Sequence, residues 1–268
     1  MLFEGEYLNG KRSKGKEYNR EGQLEFEGEY FNGKRWNGKG KEYNNRDSII
    51  YREYVWPDAL KFEGEYLHGE RNGKGKEYNE GKLIYEGEYS IGERHGKGKE
   101  YYNKGKIKFD GEYKYGLRWN GKMNNYNNEF LFEMKNGNGK GKEYDFYGEL
   151  EYEGEFENGL RNEKGKEFAH DKIIFEGEYL NGKRWNGIIK ENKDKEKLTY
   201  EGEFKNGEIN GKGKEYERDN HRLIFEGEFL NGKRSGKGKE YFDSIEIVKE
   251  CKEFEEYMNR KILINYID

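Results

Sequence analysis

Two carboxylates separated by one glycine, as in Glu63-Gly64-Glu65, form a pattern that general acid/base chemistry could use, one group donating a proton while the other accepts it. A second pattern, Gly73-Lys74-Gly75-Lys76, sets lysines on a glycine-rich stretch of the kind that can hold phosphate. Neither reading holds. The carboxylate pair recurs in nearly every part of the chain, and an active site is seldom repeated along one polypeptide, so the pairs read as a solvated charge ladder. The glycine–lysine run nowhere becomes Gly-x-x-x-x-Gly-Lys-[Ser/Thr], and a glutamate follows it. Serine is rare and lies outside any nucleophile motif. Cys251 has no histidine near it in sequence and reads as a small apolar helix residue. His68, His95, His170 and His221 occur in four unrelated contexts and give no metal-ligand spacing. The expectation is a protein without catalytic residues, cofactor or metal.

The elements carrying these residues follow from composition and period. Of 268 residues, 40% are charged and 31% hydrophobic, which alone would suggest a disordered chain. Yet 16% are aromatic, glycine numbers 39 and proline only 1. Rings and glycine without proline indicate strands joined by tight turns. The net charge of −4, with both signs interleaved, excludes the basic patch that nucleic acid or an anionic membrane would require. No run of ~20 apolar residues is present to span a bilayer. Repetitive sequence from Phe3 onward leaves no room for a secretory signal, and a lone cysteine fits a reducing compartment.

An aromatic-acid-Gly-Glu-aromatic block begins at Phe3, Phe26, Phe62, Tyr85, Phe109, Tyr152, Phe175, Tyr200 and Phe225. The steps are 23, 36, 23, 24, 43, 23, 25 and 25 residues, and the step of 43 contains a decayed copy over 132–144 that has lost its Gly-Glu pair. About ten units result, the signature of a stacked array. In KFEGEYLHGERNGKGKEY (61–78), Phe62, Gly64 and Tyr66 share one parity and Glu63 and Glu65 the other, the period of a strand. Asn-Gly pairs such as Asn9-Gly10, Asn32-Gly33, Asn72-Gly73, Asn158-Gly159 and Asn231-Gly232 supply the positive φ of hairpin turns. If Gly64 faces Gly75, Glu63 lies near Lys76 and Glu65 near Lys74 on one face. On the other, Phe62 and Tyr66 lie over bare glycine backbone.

These units resemble the MORN repeat (membrane occupation and recognition nexus), roughly Tyr-x-Gly-Glu-Phe-x-x-Gly, a short turn and Gly-x-Gly. Phe26-Glu27-Gly28-Glu29-Tyr30 with Gly33, Gly38 and Gly40 carries the pattern, as do 62–78, 85–101, 152–168, 200–216 and 225–241. The resemblance extends over 1–242. Gly121-Lys122-Met123 and Gly187-Ile188-Ile189 depart from it by lacking the second glycine. It implies an all-β fold, an elongated single-layer antiparallel β-meander of stacked hairpins. It also implies a role as scaffold or accessory module, since such arrays occur in lipid kinases, in proteins joining membranes and in protist cytoskeletons, and phospholipid binding has been ascribed to the family. The lysine-rich linkers more loosely resemble repeats of some bacterial antitoxin proteins.

Two segments interrupt the array. The insert 44–61 holds Tyr51, Tyr54, Val55, Trp56 and Pro57 and reads as an elongated connection, with a loop folding over one face as the alternative. The segment 243–268 opens with Asp243 and Glu246 at helix-capping spacing, and Ile245, Val248, Cys251 and Phe254 follow along one helix face. It reads as a short C-terminal helix capping the last hairpin, with docking or dimerisation as the alternative.

The functional expectation is a non-catalytic scaffold binding a protein partner along the aromatic face through Phe62, Tyr66, Tyr85, Tyr89, Tyr152, Phe156, Phe175 and Tyr179. The alternatives are a membrane-associating module that binds phospholipid headgroups and an antitoxin-like protein. A homodimer through a sheet edge or the C-terminal segment is a further reading, and nucleic acid is not expected. The expected location is the cytoplasm, in association with membrane or cytoskeleton if the family likeness extends that far. A fragment of a larger protein also stays open, because the first repeat begins almost at Met1. Matched Lys and Glu on adjacent strands would favour the scaffold, and unopposed cations the membrane module. The pairing itself is testable. Changing Lys74 and Lys76 to Glu should cost roughly 0.5–2 kcal/mol in urea denaturation, more at low salt than at high salt.

Overall fold

The computed structural model describes residues 2–43, 59–194, 197–217 and 222–241, and these are all-β. Most of the 44–61 insert and the expected C-terminal helix of 243–268 lie outside the described residues. The strands are β1 (Phe3–Leu8), β2 (Lys11–Tyr18), β3 (Leu24–Phe31), β4 (Lys34–Tyr43), β5 (Leu60–Leu67), β6 (Glu70–Asn79) and β7 (Lys82–Ser90). There follow β8 (Glu93–Tyr101), β9 (Ile107–Lys114), β10 (Leu117–Asn124), β11 (Phe130–Met134), β12 (Gly139–Tyr144) and β13 (Leu150–Glu157). The last are β14 (Leu160–Ala169), β15 (Lys172–Leu180), β16 (Lys183–Asp194), β17 (Lys197–Lys205), β18 (Glu208–Tyr216), β19 (Leu223–Leu230) and β20 (Lys233–Glu240). Within each sheet every strand pairs with the next in chain order, as a meander requires. There are two antiparallel sheets, β1–β11 and β12–β20, rather than the single sheet the repeats suggest. By contacts the chain divides into two compact units, residues 1–172 with 179–183, and residues 173–178 with 184–268.

The sheet division falls in the decayed repeat, and its composition explains why. Where other repeats place glycine opposite glycine, this one has Met134, which is buried with Phe132. The Phe132 ring covers the backbone of Gly141, where an added Cβ would stand 2.2 Å from it. Two such side chains occupy the space a close strand pair needs. Only an isolated Lys135↔Asn138 bridge joins the two arms of that hairpin.

Ten two-residue turns close the hairpins within repeats, each with both residues at positive φ and glycine second, and Glu80-Gly81 joins β6 to β7 in the same way. Asn leads most of them, from Asn9 to Asn231, as the Asn-Gly pairs imply. Three central turns instead begin with His68, Ile91 and Tyr115. Asn72-Gly73 is not a turn. Gly73, at φ 83, lies within β6 beside the Glu65 carboxylate. The turns also lock each repeat to the previous one, because the Gly69, Gly92 and Gly116 amides donate to Trp36, Arg71 and Arg94 carbonyls at 2.8–3.0 Å.

The inferred register is present: Gly64 faces Gly75 and Glu63 faces Lys76. A bulge then shifts the strand, and Glu65 accepts the Lys74 backbone amide at 2.9 Å instead of pairing with its ammonium. Glycine at these paired positions is obligatory. A Cβ on Gly64 would lie 2.6 Å from the Phe62 ring and 2.8 Å from both the Gly75 Cα and the Lys74 carbonyl oxygen. Where the second glycine of Gly-x-Gly is missing, Met123 and Ile189 are themselves buried, each filling the ring-covered layer with its own side chain.

Gly64→Ala should therefore cost about 1–3 kcal/mol, since the clash is with backbone that cannot yield. Gly81→Ala, at φ 73 with open space around its Cα, should cost only about 1 kcal/mol for the left-handed backbone. Urea melts of the two variants check the order.

Candidate interaction surfaces

The rings expected to bind a partner are the interior of the fold. Phe62, Tyr85, Tyr152 and Phe175 are fully buried, Tyr89, Phe156 and Tyr179 nearly so, and Tyr66 is half-buried. They pack edge to face in successive runs. Phe62 meets Tyr89 at 5.2 Å, Tyr89 meets Tyr85 at 5.5 Å, and Tyr85 meets Tyr113 at 5.1 Å, all near 85°. Tyr152 meets Phe156 at 5.3 Å and Tyr179 at 5.1 Å. In the second unit Phe175 meets Phe204 at 5.8 Å. A partner approaching this face would find little free ring surface.

It would also find an ion chain that sequence reading missed. Arg71 donates to Glu42 at 2.9 Å and lies 4.0 Å over the Phe62 ring. Arg94 donates to Glu77 at 2.6 Å over Tyr85. Arg118 reaches Glu100 at 2.5 Å and Glu143 at 2.6 Å, and Arg161 reaches Glu143 at 2.9 Å. Tyr66, Tyr89 and Tyr113 donate to the same Glu42, Glu77 and Glu100 at 2.7, 2.7 and 2.8 Å. The signal was legible: arginine, not lysine, stands two residues after the turn glycine at Arg12, Arg35, Arg71, Arg94, Arg118, Arg161, Arg184 and Arg234. A glutamate opposite the first ring of each block, as Glu77 opposite Phe62, completes it. Changing Tyr66 and Tyr89 to Ser would thus remove core and two of these bonds. Such a variant reports on stability, not on partner binding.

Burial acts to raise the Glu143 carboxyl, but Arg118 and Arg161 outweigh it and draw its pKa from 4.5 down to about 2. Glu100 is likewise penalised by burial and is held still further down by Arg118 and Arg94. Burial pushes the Tyr152 hydroxyl up to about 12.

The opposite face is open. Lys41, Glu63, Lys76, Glu86, Lys99, Asp110 and Lys122 succeed one another across neighbouring strands with strict alternation of charge. Ammonium and carboxylate meet at 4.0 Å for Lys76–Glu86, 3.5 Å for Lys99–Asp110 and 3.5 Å for Lys16–Glu27. A groove of about 830 Å³ runs over β3–β9 between two such rows, floored by Gly40, Gly64, Gly75, Gly87 and Gly98. The groove thus lies over the charge ladder and not over the aromatic face expected to bind a partner. Neither row leaves a block of unopposed lysine.

The family model for the MORN repeat matches residues 62–81, 85–107, 152–169, 200–221 and 225–244. The chain is a MORN-repeat protein. The matched segments include the glycine pairs and ring contacts described above, and MORN repeats are in general non-enzymatic modules that interact with proteins or membranes. None of the curated proteins matches the chain. Among the described residues, no helix is long and apolar enough to cross a membrane, and no cluster of His, Cys, Asp or Glu is arranged to hold a metal.

The depressed carboxyls of the MORN ion chain give a pH dependence of definite sign. Their folded pKa values lie below the unfolded value near 4.5, so the stability they add is complete above it and is lost as pH falls toward about 2. Glu143→Gln should cost about 3–5 kcal/mol at pH 7 by leaving two guanidinium groups under-paired. The gap to wild type should close between about pH 4.5 and 2, followed by urea denaturation at stepped pH. A gap independent of pH would exclude the carboxylate as its source.

Proposed function

We propose that this MORN array is a non-catalytic module that binds a protein partner in the groove over β3–β9. The carrying observation is the groove's lining: glycine backbone below, alternating Glu and Lys on both sides. Seven strands at ~4.8 Å make a trough of roughly 29 Å, long enough for about 20 residues of helix or about 9 of extended chain. The floor offers polypeptide a close approach to backbone, and the walls offer both charge signs at short intervals. A segment of mixed charge answers that pattern. Phosphate-rich ligands answer it poorly, because each lysine already faces a carboxylate, and this weighs against the phospholipid reading. Of the eight rings, Phe62, Tyr66, Tyr85 and Tyr89 act here as the frame beneath the groove, and partner contact passes to the wall residues.

Neutralising Lys39, Lys76 and Lys99 to Gln and Asp110 to Asn removes surface pairs worth roughly 0–1 kcal/mol each, so the fold should stand. In affinity capture from the native cell followed by mass spectrometry, wild type should retain a protein that this variant loses, and phosphatidylserine vesicles should bind neither at physiological salt. Tight, salt-sensitive vesicle binding, with no protein lost by the variant, would overturn the reading.

A further inference from the structure

The turns of the central hairpins combine two costly features that the fold itself does not need. At the position where Asn9, Asn32, Asn136, Asn158, Asn181, Asn206 and Asn231 adopt positive φ, the chain places His68, Ile91 and Tyr115, at φ 55, 51 and 51. A left-handed backbone suits Asn and strains a β-branched or bulky residue. These side chains are not repaid by burial, for Ile91 is 78% and Tyr115 68% exposed. Neighbouring rings extend the apolar edge. Trp36 contacts His68 at 5.1 Å and Phe31 at 5.0 Å, and His95 contacts Tyr115 at 5.5 Å. Backbone strain at Ile91 and Tyr115, with exposed apolar or aromatic side chains on three consecutive hairpin turns, is the pattern of a binding edge.

We infer that this turn edge is a second docking surface, separate from the groove, and that it takes a basic amphipathic helix of a partner protein. The inference rests on the reading of the array as a protein-binding module. Spacing and charge select the occupant. Consecutive turns lie two strands apart, about 9.6 Å, while seven residues of α-helix rise about 10.5 Å. A helix laid across the turns therefore brings apolar residues at i, i+7 and i+14 onto His68, Ile91 and Tyr115. Glu70 and Glu93 stand exposed, Glu93 two residues after Ile91, and among the described residues neither carboxylate has an ion-pair or hydrogen-bonding partner. An added Cβ on Gly92 would lie 3.1 Å from the Glu70 carboxylate, which puts that charge at the Ile91 turn. A lysine or arginine beside the central apolar residue would reach both carboxylates. The edge is also rigid before binding, because each of these turns is hydrogen-bonded to the preceding hairpin.

The test uses the full chain and a fluorescein-labelled helical peptide of about 21 residues with Leu at every seventh position and Lys beside each Leu. A second peptide replaces those Lys with Glu. By fluorescence anisotropy the basic peptide should bind wild type, and the acidic one at least ~10-fold more weakly. Ile91→Asn with Tyr115→Asn restores the turn residue of the other repeats. It should weaken the basic peptide at least ~10-fold while leaving the melting temperature equal or higher, a combination that a merely structural role cannot give. Glu70→Gln with Glu93→Gln should also weaken it. Equal binding of the two peptides, unchanged binding by the double Asn variant, or binding of phosphatidylserine vesicles in place of the peptide would overturn the inference. If the peptide is lost by the groove variant and kept by the turn variant, the edge proposal fails while the module reading stands. If neither peptide nor captured protein responds to either set of changes, both fail.

Discussion

A β-carbon at any of the paired glycines would stand within 3 Å of its partner strand, and the architecture depends on that prohibition. Without side chains, two strands close on each other and leave their shared backbone as a bare surface. The Phe or Tyr two residues earlier lies flat over it, and in the next repeat the second ring of the block meets that one edge-on. Close packing is achieved in this way by a chain with few aliphatic residues, because backbone supplies half of each contact. Where the glycine becomes Met134, the close approach ends, and the sheet ends with it.

The ion chain depends on the same packing. Rings over glycine create a dry layer, and each arginine lies on the outer side of a ring with its guanidinium aimed at the glutamate of the preceding repeat. Buried ion pairs often offset their own desolvation and little more. Here Glu42, Glu77 and Glu100 each also accept a phenol hydroxyl, Glu143 is held by two guanidinium groups, and each guanidinium is shared between repeats, so the remaining hydrogen-bonding capacity is largely used. The chain runs from Glu42 to Arg161 through alternating signs. Arg118 is its longest link, joining β8 to β12 past the strand where the sheet divides. Ions are thus continuous where the backbone ladder is not.

With rings and arginines engaged inside, two surfaces remain for interaction in the first unit. One is the neutral, charge-alternating groove and the other the apolar turn edge. They differ in what they can recognise. In the functions proposed, the groove would discriminate by the order of charges along a segment, and the edge by spacing of apolar residues beside a cation. A repeat protein can hold two such surfaces because its stability is a sum of neighbour contacts, leaving turn residues free to change from one repeat to the next.

Much of this fold was legible in the residues. The period of two, the Asn-Gly turns and the recurring Gly-Glu blocks required hairpins in chain order, and the loss of the Gly-Glu pair at 132–144 marked the weak point. Register followed too, since only Gly64 opposite Gly75 satisfies both faces. Those properties are local, set by backbone freedom and parity within some twenty residues. What the sequence could not decide was which surface would be left over. Phe62 and Tyr89 look alike whether they line a groove or fill a core, and Arg94 looks like any solvated cation until Tyr85 lies beneath it. Burial is set by how neighbouring repeats close on one another, and that distance depends on backbone from three strands at once. Hence the sequence alone determined the hairpins, their order and their faces, whereas only the tertiary structure decided that the rings are interior and the glycine–lysine face is the open one.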